Sequence, residues 1–180
     1  TLDEVDHALK VLREAGCRDI ALMQCTSQYP TPPDAVNLRV LKTFRNRFGL
    51  PVGLSDHTQG IHIPIAAAAL GARMIEKHFT ISRDLPGVDH PASIEPHELR
   101  EMVRCIRETE TALGDGVKSV HPTEADNVKD MRRSLMAARP LKAGTILRQE
   151  DITAKRPGYG MAPSKIGEIL GKRLKTDMET

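Results

Sequence analysis

Three short apolar runs, at residues 20–25, 50–54 and 74–79, alternate with segments of helical periodicity, and no other feature of the chain restricts its fold so tightly. The first helical segment opens with Thr1 and Glu4 at capping-box spacing. Leu2, Val5, Leu9 and Leu12 follow at helical intervals before Gly16 ends the run. After the first apolar run, residues 26–33 are rich in turn formers, and Asp34 is placed to cap a second helix with Val36, Val40, Leu41 and Phe44 along one side. Residues 61–70 form a nearly all-apolar helical stretch closed by Gly71. Strands and helices alternating at a repeat of roughly 22 to 30 residues predict βαβ units and a parallel sheet, hence an α/β fold.

Beyond a polar loop at 82–93, Pro96 suits a first helical position, and Leu99, Met102, Val103, Ile106 and Leu113 mark a long amphipathic helix ended by Gly114 and Gly116. The polar stretch that follows, with Pro122, predicts an irregular linker over 117–132. From Arg133 onward, Pro140, Gly144, Pro157, Gly158 and Gly160 break the apolar pieces into short lengths, which predicts a small, mainly β module over 133–180. Only about 50 residues long, it sits near the lower limit for independent folding and should lean on a partner surface. The region 1–116 offers three strands, whereas a closed β/α barrel takes about eight strands and roughly 250 residues. Either the sheet is small and open, or this region is the C-terminal portion of a larger barrel.

Charge excludes some functions. Lys and Arg number 26 against 24 Asp and Glu, and a net charge of +2 makes no field that gathers nucleic acid or a membrane. Aromatic residues are 3% of the chain, too few for base-stacking platforms. The three cysteines lie far apart without a CxxC pair, which fits a reduced, cytoplasmic setting. No stretch approaches the roughly 18 apolar residues of a membrane span, and the start Thr1-Leu2-Asp3-Glu4 has no signal character. A soluble cytoplasmic protein is expected.

Parallel α/β folds bind ligands beyond the carboxyl ends of their strands, so the residues leaving each strand are the candidates for chemistry. His57 and His78 leave strands expected to be neighbours, about 4.8 Å apart, and both imidazoles can reach one divalent ion. Two unrelated polar residues at loop mouths is the plainer alternative, since no third protein ligand is evident. Ser27, Tyr29 and Ser55 bring hydroxyls to the same mouth, able to meet phosphate or sugar oxygens or simply to serve turns. Asp89 can pair with sugar hydroxyls or stabilise its own turn. Arg156, beside Pro157, presents a guanidinium suited to an acetamido or carboxylate oxygen, or is an ordinary surface cation. His7, His62, His97 and His121 read as surface residues.

Six stretches in order and spacing carry a resemblance: Cys25-Thr26-Ser27-Gln28-Tyr29-Pro30, Gly53-Leu54-Ser55-Asp56-His57-Thr58, Ile75-Glu76-Lys77-His78-Phe79-Thr80, Pro86-Gly87-Val88-Asp89-His90, Arg132-Arg133-Ser134 and Lys155-Arg156-Pro157-Gly158. Together they resemble the sialic acid synthase family, with its legionaminic and pseudaminic acid branches, over nearly the whole chain. The resemblance implies the C-terminal part of a TIM-type β/α barrel followed by an antifreeze-like (SAF) module. It implies condensation of phosphoenolpyruvate with N-acetylmannosamine or a related amino-sugar aldehyde, giving a nonulosonic acid and phosphate.

On that resemblance His57 and His78 would bind manganese or magnesium, and Ser27, Tyr29 and Ser55 would line the phosphoenolpyruvate and sugar pocket. Asp89 would hold sugar hydroxyls, and Arg156 would reach the N-acyl group across a domain-swapped homodimer. The stretch from Asp89 to Ser93 looks more like the sialic and legionaminic branches, while Ser27 stands where some members have Asn. The family's N-terminal half, with a catalytic glutamate and lysines for phosphoenolpyruvate, has no counterpart here, so this chain alone is expected to be inactive and prone to associate through uncovered strand edges. Two other readings remain: another metal-dependent barrel enzyme, and a noncatalytic carbohydrate-binding fragment.

Overall fold

The computed structural model describes residues 1–180 with the exception of the Lys129 side chain. Its contacts divide the chain into two units, Thr1–Gly116 and Val117–Thr180.

In the first unit, helix α1 (Leu2–Glu14) begins at a capping box in which the Thr1 hydroxyl accepts from the Glu4 amide and the Glu4 carboxylate answers at Thr1. Strands β1 (Leu22–Cys25), β2 (Val52–Asp56) and β3 (Ile75–Lys77) form one parallel sheet in the order β1-β2-β3. Helix α2 (Val40–Phe48) joins β1 to β2, helix α3 (His62–Ala69) joins β2 to β3, and helix α4 (Pro96–Leu113) follows. The α/β class with a parallel sheet is therefore as the apolar periodicity predicts.

Side chains alternate along a strand, so Val52 and Leu54 share one face of β2. There they join Val36, Leu41, Phe44 and Ala67 in a buried cluster, with Leu22 and Ile75 from the flanking strands packed against it. Each such Val or Leu, fully withdrawn from water, stabilises the fold by about 1.5–3 kcal/mol. Gly53 occupies the opposite face for a steric reason: a β-carbon there would lie 2.6 Å from the Met74 carbonyl oxygen. The same carbonyl accepts from Leu54 N at 3.0 Å, so the backbone of residue 74 already fills the space a side chain at position 53 would need.

Two local expectations are corrected. Asp34 does not cap α2; it lies in a short 3-10 turn, Pro33–Ala35, and α2 starts after Arg39, which makes no side-chain cap. The cause lies in β1 and its exit. Thr26 Oγ1 donates to Ala35 O at 3.0 Å and Gln24 Nε2 to Val36 O at 3.0 Å, taking two carbonyls a continuous helix would need. Asn37, at φ 50°, then redirects the chain. β2 also starts later than the run at 50–54, because Pro51 has no amide to give the ladder.

The second unit opens with a further correction. The polar stretch expected to be irregular contains helix α5 (Ala125–Met131), entered through a 3-10 turn at Pro122–Glu124 in which the His121 ring accepts from Thr123 N. Strands β4 (Ser134–Ala137) and β5 (Ile152–Lys155) then pair antiparallel, and isolated bridges join Leu141 to Met178 and Ile146 to Arg173. Ala137, Leu141 and Leu147 form its small core, with Ile152, Ile169, Leu174 and Met178 around them. Buried Asp151 accepts from Arg148 N at 3.0 Å and Arg139 Nη2 at 2.6 Å. Those bonds hold its carboxyl below the usual carboxylate range, the Arg148 amide first. Among the described residues, no helix is long and apolar enough to cross a membrane.

Candidate functional site

Register and alternation decide which side chains meet at the end of the sheet. Cys25 pairs with Ser55, and Ser55 with Glu76, so the three form a row across one face. Two residues further on, His57 and His78 leave β2 and β3 in the same sense. Their ring centroids lie 5.3 Å apart with the planes at 84°. Tyr29 closes the group: its ring stacks on His57 at 4.1 Å and meets His78 edge-on at 5.2 Å. Tyr29 is 52% exposed and His57 only 9%, so the phenol covers the imidazole from the solvent side.

His57 is oriented by a main-chain oxygen. Its Nδ1 lies 2.8 Å from Thr26 O. A carbonyl oxygen can only accept, so Nδ1 carries the hydrogen and Nε2 of the neutral ring keeps its lone pair. This is the arrangement in which metal-binding histidines are usually found, the second nitrogen donating to a carbonyl or carboxylate. Thr31 N also donates to His57 O at 2.9 Å, and the Thr31 hydroxyl donates to Gln28 O at 2.7 Å, which fixes the loop carrying Tyr29. Two nitrogens from such rings, each about 2.1 Å from an ion, fit the observed spacing. Among the described residues, no group of three or more His, Cys, Asp or Glu is arranged to hold a metal ion. An ion here would therefore owe its other positions to water or substrate oxygen.

Ser55 is buried and donates to Glu76 Oε1 at 2.7 Å. With its hydrogen committed, its oxygen offers lone pairs, which suit a sugar hydroxyl better than a phosphate oxygen. Ser27 is exposed on the loop after β1. Asp89 is also exposed, at the start of the 3-10 turn His90–Ala92, and its carboxylate makes no cap bond there. The loop bearing it returns to the strand end: the His90 ring lies 2.8 Å from Thr80 Oγ1, Ile94 N donates to His78 O and Thr80 N to Ile94 O, both at 2.9 Å. Arg83 anchors its base, donating its amide to Glu95 Oε1 at 3.0 Å, Nε to Ser93 O at 2.9 Å and Nη2 to Glu98. The Arg83 guanidinium holds the Glu98 carboxyl below its ordinary value. Arg156 belongs to the second unit, is exposed, and donates Nε to Met131 O at 2.9 Å.

The structure thus brings His57, His78 and Tyr29 into one cluster, with Ser55 just beneath. Residue type and spacing alone do not single out Glu76, Lys77, Asp56 or Thr58. The signal that finds them is the period-two alternation, which sends Ser55 and Glu76 to the face of the histidines and Asp56 and Lys77 to the other. A hollow of about 1020 Å³ lies along α2, lined by Asn37, Arg39, Lys42, Ile63 and Leu70, and holds none of the expected site residues.

Residues 1–118 match the NeuB family and residues 132–180 the SAF domain. An uncharacterised protein of Methanocaldococcus jannaschii is 46% identical over 178 residues, covering 99% of this chain and 53% of that protein. An N,N'-diacetyllegionaminic acid synthase of Campylobacter jejuni is 43% identical over 173 residues, covering 95% of this chain and 52% of the enzyme. The crystal structure of an N-acetylneuraminic acid (sialic acid) synthetase from Leptospira borgpetersenii superposes with a TM-score of 0.63 at 33% identity, over 71% of this chain and 45% of that one. The chain spans about half the length of the curated relatives it matches.

Proposed function

The chain belongs to the NeuB family, and from that premise we propose that the complete protein condenses phosphoenolpyruvate with N-acetylmannosamine or a related amino-sugar aldehyde, giving a nonulosonic acid and phosphate. The observation that carries the reading is the convergence of His57 and His78 at the carboxyl ends of adjacent parallel strands. In this reading the first unit is the C-terminal part of a TIM-type barrel, and the SAF domain supplies a β-clip module. The protein would work in the cytoplasm as a domain-swapped homodimer.

His57, through Nε2, and His78 would hold a divalent ion, manganese or magnesium. Such an ion supplies Lewis acidity to an aldehyde oxygen. The chain's own groups bind and orient. Tyr29 shields the imidazoles from bulk water and, with Ser27 and Ser55, lines the pocket; Ser55 accepts from a sugar hydroxyl. Asp89, its carboxylate uncommitted to the turn, receives paired sugar hydroxyls. Arg156 gives the remaining donors of its guanidinium to the N-acyl oxygen of a sugar in the partner's site. The sialic or legionaminic type of acid is favoured by the stretch from Asp89 to Ser93.

The test is phosphate release from phosphoenolpyruvate in the complete protein, supplied with N-acetylmannosamine, or its 2,4-diacetamido counterpart, and manganese. Release is expected with one of the sugars and not in a His57→Ala variant. No release with any amino-sugar aldehyde would remove the reading.

A further inference from the structure

Asp56 and Lys77 immediately precede the two histidines, and their side chains lie on the opposite face of the sheet. Both are almost wholly buried, Lys77 at 3% and Asp56 at 1% side-chain exposure. Asp56 Oδ2 accepts from Lys77 Nζ at 2.6 Å and from Thr58 Oγ1 at 3.0 Å, and Oδ1 accepts from Thr58 N at 3.1 Å. Lys77 Nζ gives a second bond to Thr58 O at 2.5 Å. The carboxylate thus spans His57 from the residue before it to the residue after it, and the ammonium ties that turn to the residue before His78.

A buried ion pair is a poor source of stability, because desolvating two charges offsets most of their attraction and apolar replacements often fold as well. Its location suggests another use. The ladder between β2 and β3 ends at the pair Asp56–Lys77, the last registered partners. His57 and His78 lie one residue beyond it without backbone pairing to each other; the carbonyl of each is held by a different segment, through Thr31 N and Ile94 N, so the ladder does not set the distance between the two rings.

Resting on the metal-binding reading of the histidines, we infer that the Asp56–Lys77–Thr58 network is a positioning device that sets the separation and mutual orientation of the His57 and His78 imidazoles. It acts on the backbone beneath the site. None of its three side chains needs to touch ion or substrate.

The test separates position from stability. The double variant Asp56→Asn with Lys77→Met removes both charges at similar volume and should melt cooperatively near the wild-type temperature. Its affinity for Mn(II), titrated alone and followed by the free-ion electron paramagnetic resonance signal, should nevertheless fall about ten- to hundredfold, the usual cost of losing support behind metal ligands. In metal-free protein its imidazole nitrogen–proton correlations should shift for both histidines. If the double variant does not melt cooperatively, Thr58→Val is read in the same way. A folded variant with wild-type Mn(II) affinity and unshifted imidazole signals overturns the positioning role. Equal Mn(II) binding by the wild type and His57→Ala overturns the metal reading instead, and the metal-free spectra then still decide whether the network positions the rings.

Discussion

Lys77 Nζ lies 2.6 Å from the Asp56 carboxylate, and the side chains are at 3% and 1% exposure. Removing one partner leaves an unpaired charge in a place water cannot reach. Lys77→Met should therefore destabilise the first unit by about 3–5 kcal/mol, read as a lower urea midpoint in equilibrium unfolding. A midpoint equal to wild type would mean that the pair is solvated in solution.

Gly53→Ala should destabilise by about 1–3 kcal/mol, the usual result of forcing a methyl group into a filled site. The added carbon would sit 2.6 Å from Met74 O, a backbone atom that cannot swing aside as a flexible side chain can. The Met74–Leu54 hydrogen bond should be the casualty. Faster exchange of the Leu54 amide in hydrogen-exchange measurements is the specific sign, and unaltered protection there would contradict the steric account.

Acid should loosen the loop that carries Asp89. The Arg83 hydrogen bond lowers Glu98 below its usual value of 4.5, so the folded state resists protonation more than the unfolded chain. The stabilisation is complete above that usual value and is lost as the pH falls through it toward the lowered one. Glu98→Gln should therefore be less stable than wild type at neutral pH, with the difference shrinking in acid. Thermal melts at a series of pH values test this, and a gap that widens on acidification would reverse the assignment.

Manganese should raise the melting temperature of the wild-type protein, and a chelator should restore the original value. At a free concentration about one hundred times the dissociation constant the gain is about 2.7 kcal/mol. His78→Ala should melt at the same temperature with or without the ion. A retained shift in that variant would place the bound ion elsewhere.

Much of this arrangement is legible in the residues themselves. Short apolar runs of strand length and Gly71 and Gly114 at helix ends fix the order of elements, and parallel neighbours bring His57 and His78 together because each sits just past a strand. Less legible is what depends on bonds between distant segments. Asp34 has the chemistry of a helix cap, yet Thr26 and Gln24, on the preceding strand and its exit, take the carbonyls of Ala35 and Val36 and delay the helix to Val40. The polar composition near 125–131 hides α5 because charged residues suit an exposed short helix as well as a loop. Lys77 and Asp56 look like surface charges in one dimension, and only the register Asp56–Lys77 shows that they neutralise each other in the interior.

The acceptor that orients His57 is the main-chain oxygen of Thr26. Every amino acid, proline included, carries that atom, so no substitution at position 26 deletes it outright. The choice of which imidazole nitrogen holds the hydrogen is thus written into the path of the backbone rather than into any neighbouring side chain. The loop can drift in composition while the ring keeps its lone pair aimed the same way, and only a change of loop length or course would turn it.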